Sequence, residues 1–116
     1  MLIALILISC LPSQEKFTGN INEGIPICVR GPYLQIGNPH SIIIRWRTDI
    51  DTNSRVRYGI DSTSLDQKVD SLSITTEHEV TLTGLLPNTK YYYSVETLNE
   101  VLSTGYDNFF VTAPSA

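Results

Sequence analysis

Cysteine and histidine are scarce in this chain of 116 residues, with two of each. Cys10 and Cys28 stand alone, without the Cys-x-x-Cys spacing of a thiolate metal site. Basic residues are few as well: eight Lys and Arg against twelve Asp and Glu, for a net charge of −4. They form no basic run, so the electrostatic footprint of a nucleic-acid binder is missing and nucleic acid is not an expected partner. No internal repeat is present, which excludes a solenoid or a propeller. No window shows a helical hydrophobic period. What is present is a globular composition, 41% hydrophobic and 17% charged, in a length that suits one domain and not two.

The longest apolar run lies at the start, from Met1 through Leu2, Ile3, Ala4, Leu5, Ile6, Leu7 and Ile8. At about ten residues it is too short for a membrane-spanning helix but suits the apolar core of a signal peptide. Leu7-Ile8-Ser9-Cys10 resembles the bacterial lipobox, in which the cysteine becomes the lipid-modified first residue; no Lys or Arg precedes the run, a departure from the usual positive start. The expectation is an exported protein of the cell envelope, lipid-anchored through Cys10. Ordinary secretion and a buried strand are the alternatives. With Cys10 acylated, Cys28 reads as a small buried hydrophobe; a Cys10–Cys28 disulfide is the competing arrangement. Residues 11–29, rich in Pro, Gly, Ser and Asn, read as a tether.

From Arg30 onward the texture is that of short strands between turn signals. Expected strands lie at 33–36, 41–48, 54–58, 67–70, 77–83 and 90–98, with a last one ending at 112. Alternation is clearest in Ile42, Ile44 and Trp46, predicted inward, against Ile43, Arg45 and Arg47. Val80 and Leu82, then Tyr91, Tyr93 and Val95, are assigned to the core in the same way. Residues 49–53 are expected to form a polar turn. About seven strands without intervening helices indicate an all-β antiparallel sandwich.

Leu85-Leu86-Pro87-Asn88-Thr89-Lys90-Tyr91-Tyr92-Tyr93-Ser94-Val95 resembles the E–F corner of fibronectin type III domains. In such a corner the first tyrosine buries its ring and bonds its hydroxyl back to the corner backbone; Tyr91 takes that place, with Trp46 as core aromatic partner. Arg30-Gly31-Pro32-Tyr33-Leu34-Gln35, Ile44-Arg45-Trp46-Arg47-Thr48, Val56-Arg57-Tyr58-Gly59, His78-Glu79-Val80-Thr81-Leu82-Thr83-Gly84-Leu85 and Asn88-Thr89-Lys90-Tyr91-Tyr92-Tyr93 follow in order. Together they are similar to the N-terminal domain of purple acid phosphatases and related metallophosphoesterases. In that family Phe110-Val111-Thr112-Ala113-Pro114 would close the domain ahead of a catalytic domain. The resemblance implies a module at 30–113 and a linker beginning at 114–116. Phosphate monoester hydrolysis at a dinuclear metal centre is implied for the catalytic domain, whose ligand motifs are not found here. Gly37-Asn38-Pro39-His40 matches one of those motifs only superficially, because Pro39 separates Asn from His.

Residue by residue, no catalytic or metal site is expected in this chain, and no cofactor. His40 reads as a surface residue in a turn, and His78 as a sheet-surface or partly buried structural histidine. Asp49, Asp51, Asp61 and Asp66 lack the spacing of a calcium loop. Arg45, Arg47, Arg55 and Arg57 would form a basic stripe if their strands were neighbours. Tyr92, and one of Phe109 or Phe110, are predicted to point outward and contact a following domain. The functional expectation is a non-catalytic accessory module whose partner is the C-terminal catalytic domain of the same polypeptide. The alternative is a stand-alone surface lipoprotein whose sandwich binds a protein or glycan.

Overall fold

A computed structural model describes residues 25–115. Among the described residues, six antiparallel strands make up the fold: β1 Cys28–Asn38, β2 Ser41–Gly59, β3 Gln67–Leu82, β4 Lys90–Glu96, β5 Val101–Ser103 and β6 Phe109–Val111. The signal segment, Cys10 and most of the tether lie outside the described residues, including both the lipidation and the alternative disulfide assigned to Cys10.

The two layers of the sandwich are carried by one long hairpin. The first half of β2 has β1 on one side and β3 on the other, with Ile44 opposite both Leu34 and Val80. Its second half keeps β3 but exchanges β1 for β4, with Val56 opposite both Val69 and Val95. β5 and β6 extend that second layer along β4. The sequence reading divided this hairpin into separate strands, and the structure corrects that division. Residues 49–53 continue β2 instead of forming a turn, and residues 71–76 continue β3. Paired bulges take the chain from layer to layer: Arg47 to Thr52 faces Glu77 to Thr75, and Thr52 to Ser54 faces Thr75 to Ser71. Extra residues on alternate strands bend the ladder without breaking it, so a polar stretch that looks like a turn is a bulged crossing.

The core follows the period-two pattern. Ile42, Ile44, Trp46, Val56, Val80, Leu82, Leu85, Tyr91, Tyr93, Val95 and Phe110 are buried in one cluster with Cys28. Full burial of such a side chain stabilises by roughly 1.5–3 kcal/mol, which the ordering of the chain largely offsets. β1 reaches this core by close approach. Gly31 has φ +94°, and a Cβ there would stand 2.9 Å from the Arg45 carbonyl oxygen and 3.2 Å from Trp46 Cα. Only glycine fits a left-handed backbone pressed against β2 in this way.

Candidate functional site

The corner after β3 is where sequence motif and geometry meet most closely. The Leu86 N–H donates to Tyr91 Oη at 2.9 Å, so the tyrosine hydroxyl closes the corner as expected. The Tyr91 ring stacks on Phe110 at 5.5 Å and meets Tyr58 edge-on at 6.2 Å. Tyr91→Phe is expected to lower stability by about 1–2 kcal/mol, because the buried ring remains and one hydrogen bond is lost. An unchanged denaturant midpoint would show that the hydroxyl contributes nothing.

The same corner holds the end of the last strand. Thr112 Oγ1 donates to the Leu86 carbonyl at 2.6 Å and accepts from the Thr89 N–H at 2.9 Å. The Thr112 N–H donates to the Thr89 carbonyl, and the Asn88 N–H to the Ala113 carbonyl, each at 3.0 Å. Asn88 adopts φ 50°, a left-handed turn conformation that asparagine tolerates better than most residues. His40 ties the β1–β2 turn to this region: its Nδ1 lies 3.0 Å from the Leu85 carbonyl, and its own carbonyl accepts from the Leu85 N–H. The chain leaving β6 is therefore fixed in position and direction by a clamp around a buried threonine. Thr112 was not singled out in the sequence, although Thr at the end of an alternating strand beside a tyrosine corner is the signal.

Next to this clamp lies a small aromatic surface. Tyr92 and Phe109 meet edge-on at 6.2 Å across the β4–β6 pair, and Lys90 Nζ sits over both rings, 4.2 Å from the Phe109 centroid and 5.1 Å from that of Tyr92. Phe109 and neighbouring Val111 are exposed. Of the two candidate phenylalanines, Phe109 faces outward and Phe110 is in the core. Tyr93, Val95 and Trp46 are buried where the alternation assigned them.

The four arginines lie on one strand but form no free basic stripe. Each has an acid partner: directly across the ladder, Arg45 bonds Glu79 at 2.9 Å, Arg47 pairs with Glu77 and Arg55 grips Asp70 through two bonds of 2.7 and 3.0 Å, while Arg57 reaches diagonally to Glu96 at 3.3 Å. The Arg55 bond, with lesser help from Lys68 and Arg57, holds the Asp70 carboxyl below its ordinary range. The exposed Arg45–Glu79 and Arg47–Glu77 pairs add at most about 1 kcal/mol each and mainly set register, whereas Arg55–Asp70 and the buried Glu96 are more shielded from water. The charge that a phosphate would need is neutralised within the sheet.

His78 departs most from its expected place. It is fully buried in β3, stacked on Trp46 with centroids 5.0 Å apart and planes 7° from parallel. Its Nε2 lies 2.8 Å from Thr48 Oγ1 and its Nδ1 2.7 Å from Ser54 Oγ. Thr48 precedes the crossing of β2 and Ser54 follows it, so the ring bridges the bend. The Thr48 hydroxyl donates to the Ile50 carbonyl at 2.8 Å, which leaves its oxygen to accept from Nε2–H. Nδ1 then accepts from the Ser54 hydroxyl, and both groups are satisfied around a neutral ring. Burial lowers the His78 pKa, with Glu77 and Asp51 pulling weakly the other way. The arrangement is a structural staple: both ring nitrogens are engaged by hydroxyls of β2.

The carboxylates of Asp49, Asp51, Asp61 and Asp66 do not converge on one point: Asp49 and Asp51 lie within β2, and Asp61 and Asp66 in the loop after it. Asp49 Oδ1 accepts from the Ile27 N–H at 2.8 Å near the crossing, whereas Asp61 caps the turn after β2 through the Thr63 N–H and hydroxyl. Among the described residues no group of three or more His, Cys, Asp or Glu side chains is placed to hold a metal. The donors of a two-metal centre are not assembled by these residues, and no catalytic step is assigned to them.

These features define a fibronectin-III-like sandwich with a clamped C-terminal strand. Residues 29–110 match the family model of the purple acid phosphatase N-terminal domain. The chain belongs to that family, whose catalytic domain carries the dinuclear metal centre. No curated protein matches the chain significantly.

Proposed function

We propose that this chain is the non-catalytic accessory module of an exported phosphatase, holding and orienting a catalytic domain that follows it. The observation that carries the reading is the clamp on Thr112 and Ala113. A strand end held by bonds to Leu86, Asn88 and Thr89 points the next residues in one direction, as a rigid mount requires and an independent binding domain does not. The Lys90, Tyr92, Phe109 and Val111 surface adjoins that exit and offers apolar area flanked by a cation, suited to contact with a second domain. The family match supports the phosphatase assignment of the parent. Its substrate chemistry would be phosphate monoester hydrolysis, performed by residues outside this chain.

The test is the apparent mass of the native protein in the source cell's envelope fraction, detected with antiserum to this module. The expected band is several times heavier than the 12.9 kDa of this chain, and it co-purifies with metal-dependent phosphatase activity. A single band at or just below that mass would overturn the reading in favour of a stand-alone binding module.

A further inference from the structure

A groove of about 630 Å³ opens beside the tyrosine corner, within the size range of small-ligand sites. Its base is formed by Tyr58, Leu85 and Tyr91, and its rim carries Ser64, Asp66 and Gln67. One wall is the loop after β2, and that wall is preformed. The Ser64 N–H donates to the Asp61 carbonyl at 3.0 Å, Asp61 Oδ1 holds the Thr63 N–H and hydroxyl, and a Cβ on Gly59 would stand 2.7 Å from the Ser64 carbonyl oxygen. Gly84 also lines the groove, and a Cβ there would meet nothing within 4 Å.

Two properties of the lining decide what it can hold. No Lys, Arg or His lines it, while Asp61 and Asp66 do, so a phosphorylated or carboxylated ligand is repelled. This sets the groove apart from β2, where every arginine has an acid partner. The second property is unspent hydrogen-bonding capacity above an aromatic base. Among the described residues, the side chains of Ser64, Asp66 and Gln67 and the half-buried Tyr58 hydroxyl have no intramolecular partner. A sugar ring is amphipathic in the matching sense. Its C–H face covers an aromatic or aliphatic surface, and its hydroxyls donate to carboxylates and exchange bonds with an amide and hydroxyls.

We propose that this groove is a binding site for a neutral saccharide. The site lies at the end of the sandwich from which β6 exits, so a glycan bound there would be held next to whatever follows the module. The proposal does not rest on a catalytic domain being present.

The test is amide-resolved NMR titration of the full chain with neutral disaccharides: maltose, cellobiose, lactose and diacetylchitobiose. Glucose 6-phosphate and arginine amide serve as charged comparators. At least one disaccharide is expected to give saturable shifts at Gly59, Ser64, Asp66, Gln67 and Gly84, with a Kd on the order of 1–10 mM. Tyr58→Ala should weaken that binding at least about tenfold, equivalent to about 1.4 kcal/mol. Because Tyr58 also touches the core, the exposed pair Asp66→Ala and Gln67→Ala gives the same reading in a chain whose spectrum stays folded. Absence of saturable shifts with every disaccharide would overturn the proposal. So would equal binding of glucose 6-phosphate, or shifts produced by arginine amide alone, which would mark a site for basic side chains.

Discussion

Replacing His78 by alanine is expected to destabilise the domain by about 2–4 kcal/mol and to remove most of its acid sensitivity above about pH 5. The first effect combines a cavity beneath Trp46 with two buried hydroxyls, on Thr48 and Ser54, left without a ring nitrogen. The second follows from the proton balance. Burial lowers the pKa of His78 in the folded chain from its ordinary 6.5. As pH falls below that value the unfolded chain takes up a proton that the folded chain does not, so stability falls with pH. Above it both states are neutral at this residue and the dependence vanishes. Two carboxylates act lower down: Asp70, paired with Arg55, and Asp61, hydrogen-bonded by Thr63, are depressed below 3.8, and their contribution is lost as pH falls from 3.8 through the folded values. Denaturant midpoints of the native chain and the variant at pH 7.5, 6.5, 5.5 and 5 would check both effects. A variant that lost stability with acid as steeply as the native chain would disprove the neutral-ring assignment.

The physical reason for this sensitivity is the position of the ring. A charged His78 carries an N–H at Nδ1 and at Nε2. Nε2–H keeps its Thr48 acceptor, but the Ser54 hydroxyl must turn to accept from Nδ1, and its own proton loses the acceptor it has in the neutral state. A charge would be buried, and a buried hydroxyl displaced from its acceptor, at the point where β2 changes layers. Asp51 and Glu77 offset this only in part.

His78 also shows how legibility divided between pattern and context. Val80 and Leu82 were read as inward from their alternation, and stepping back two residues along the strand places His78 on the same face. The signal was present, but the charged neighbours Glu77 and Glu79 made the strand start look like a surface. The same limit hid the crossing. Asp49, Asp51 and Asn53 have the composition of a turn, and nothing local distinguishes a turn from a bulged strand held on both sides by long-range pairing. Patterns that act within one strand were legible: Ile42, Ile44 and Trp46, or Tyr91, Tyr93 and Val95. The corner was legible for a further reason, since Leu86 and Tyr91 are close enough in sequence for one hydrogen bond to define it. The arginine ladder was not, because its neutralising acids lie on β3 and β4, far away in sequence. The groove wall drawn from the loop after β2 was missed for the same reason: its base comes from Leu85 and Tyr91 on the far side of β3.

Trp46→Ala is expected to cost about 3–5 kcal/mol, enough to unfold a domain of ordinary stability in mild denaturant, whereas Trp46→Phe should cost about 1–2 kcal/mol. The indole is fully buried where β1, β2 and β3 meet, and truncating it leaves a cavity that the close approach at Gly31 prevents the backbone from filling. Phenylalanine keeps most of the packed area and gives up no hydrogen bond, because Trp46 Nε1 is buried without a partner among the described residues. Trp46 and His78 form one stacked unit, so their losses should not add. With His78 already alanine, removing Trp46 no longer breaks the stack, and the double variant should be more stable than the sum of the two losses predicts. Denaturant melts of the two single variants and the double variant measure that coupling directly. A sum that adds within error would mean that Trp46 and His78 stabilise the crossing independently, and that the bend in β2 is held by its ladder alone.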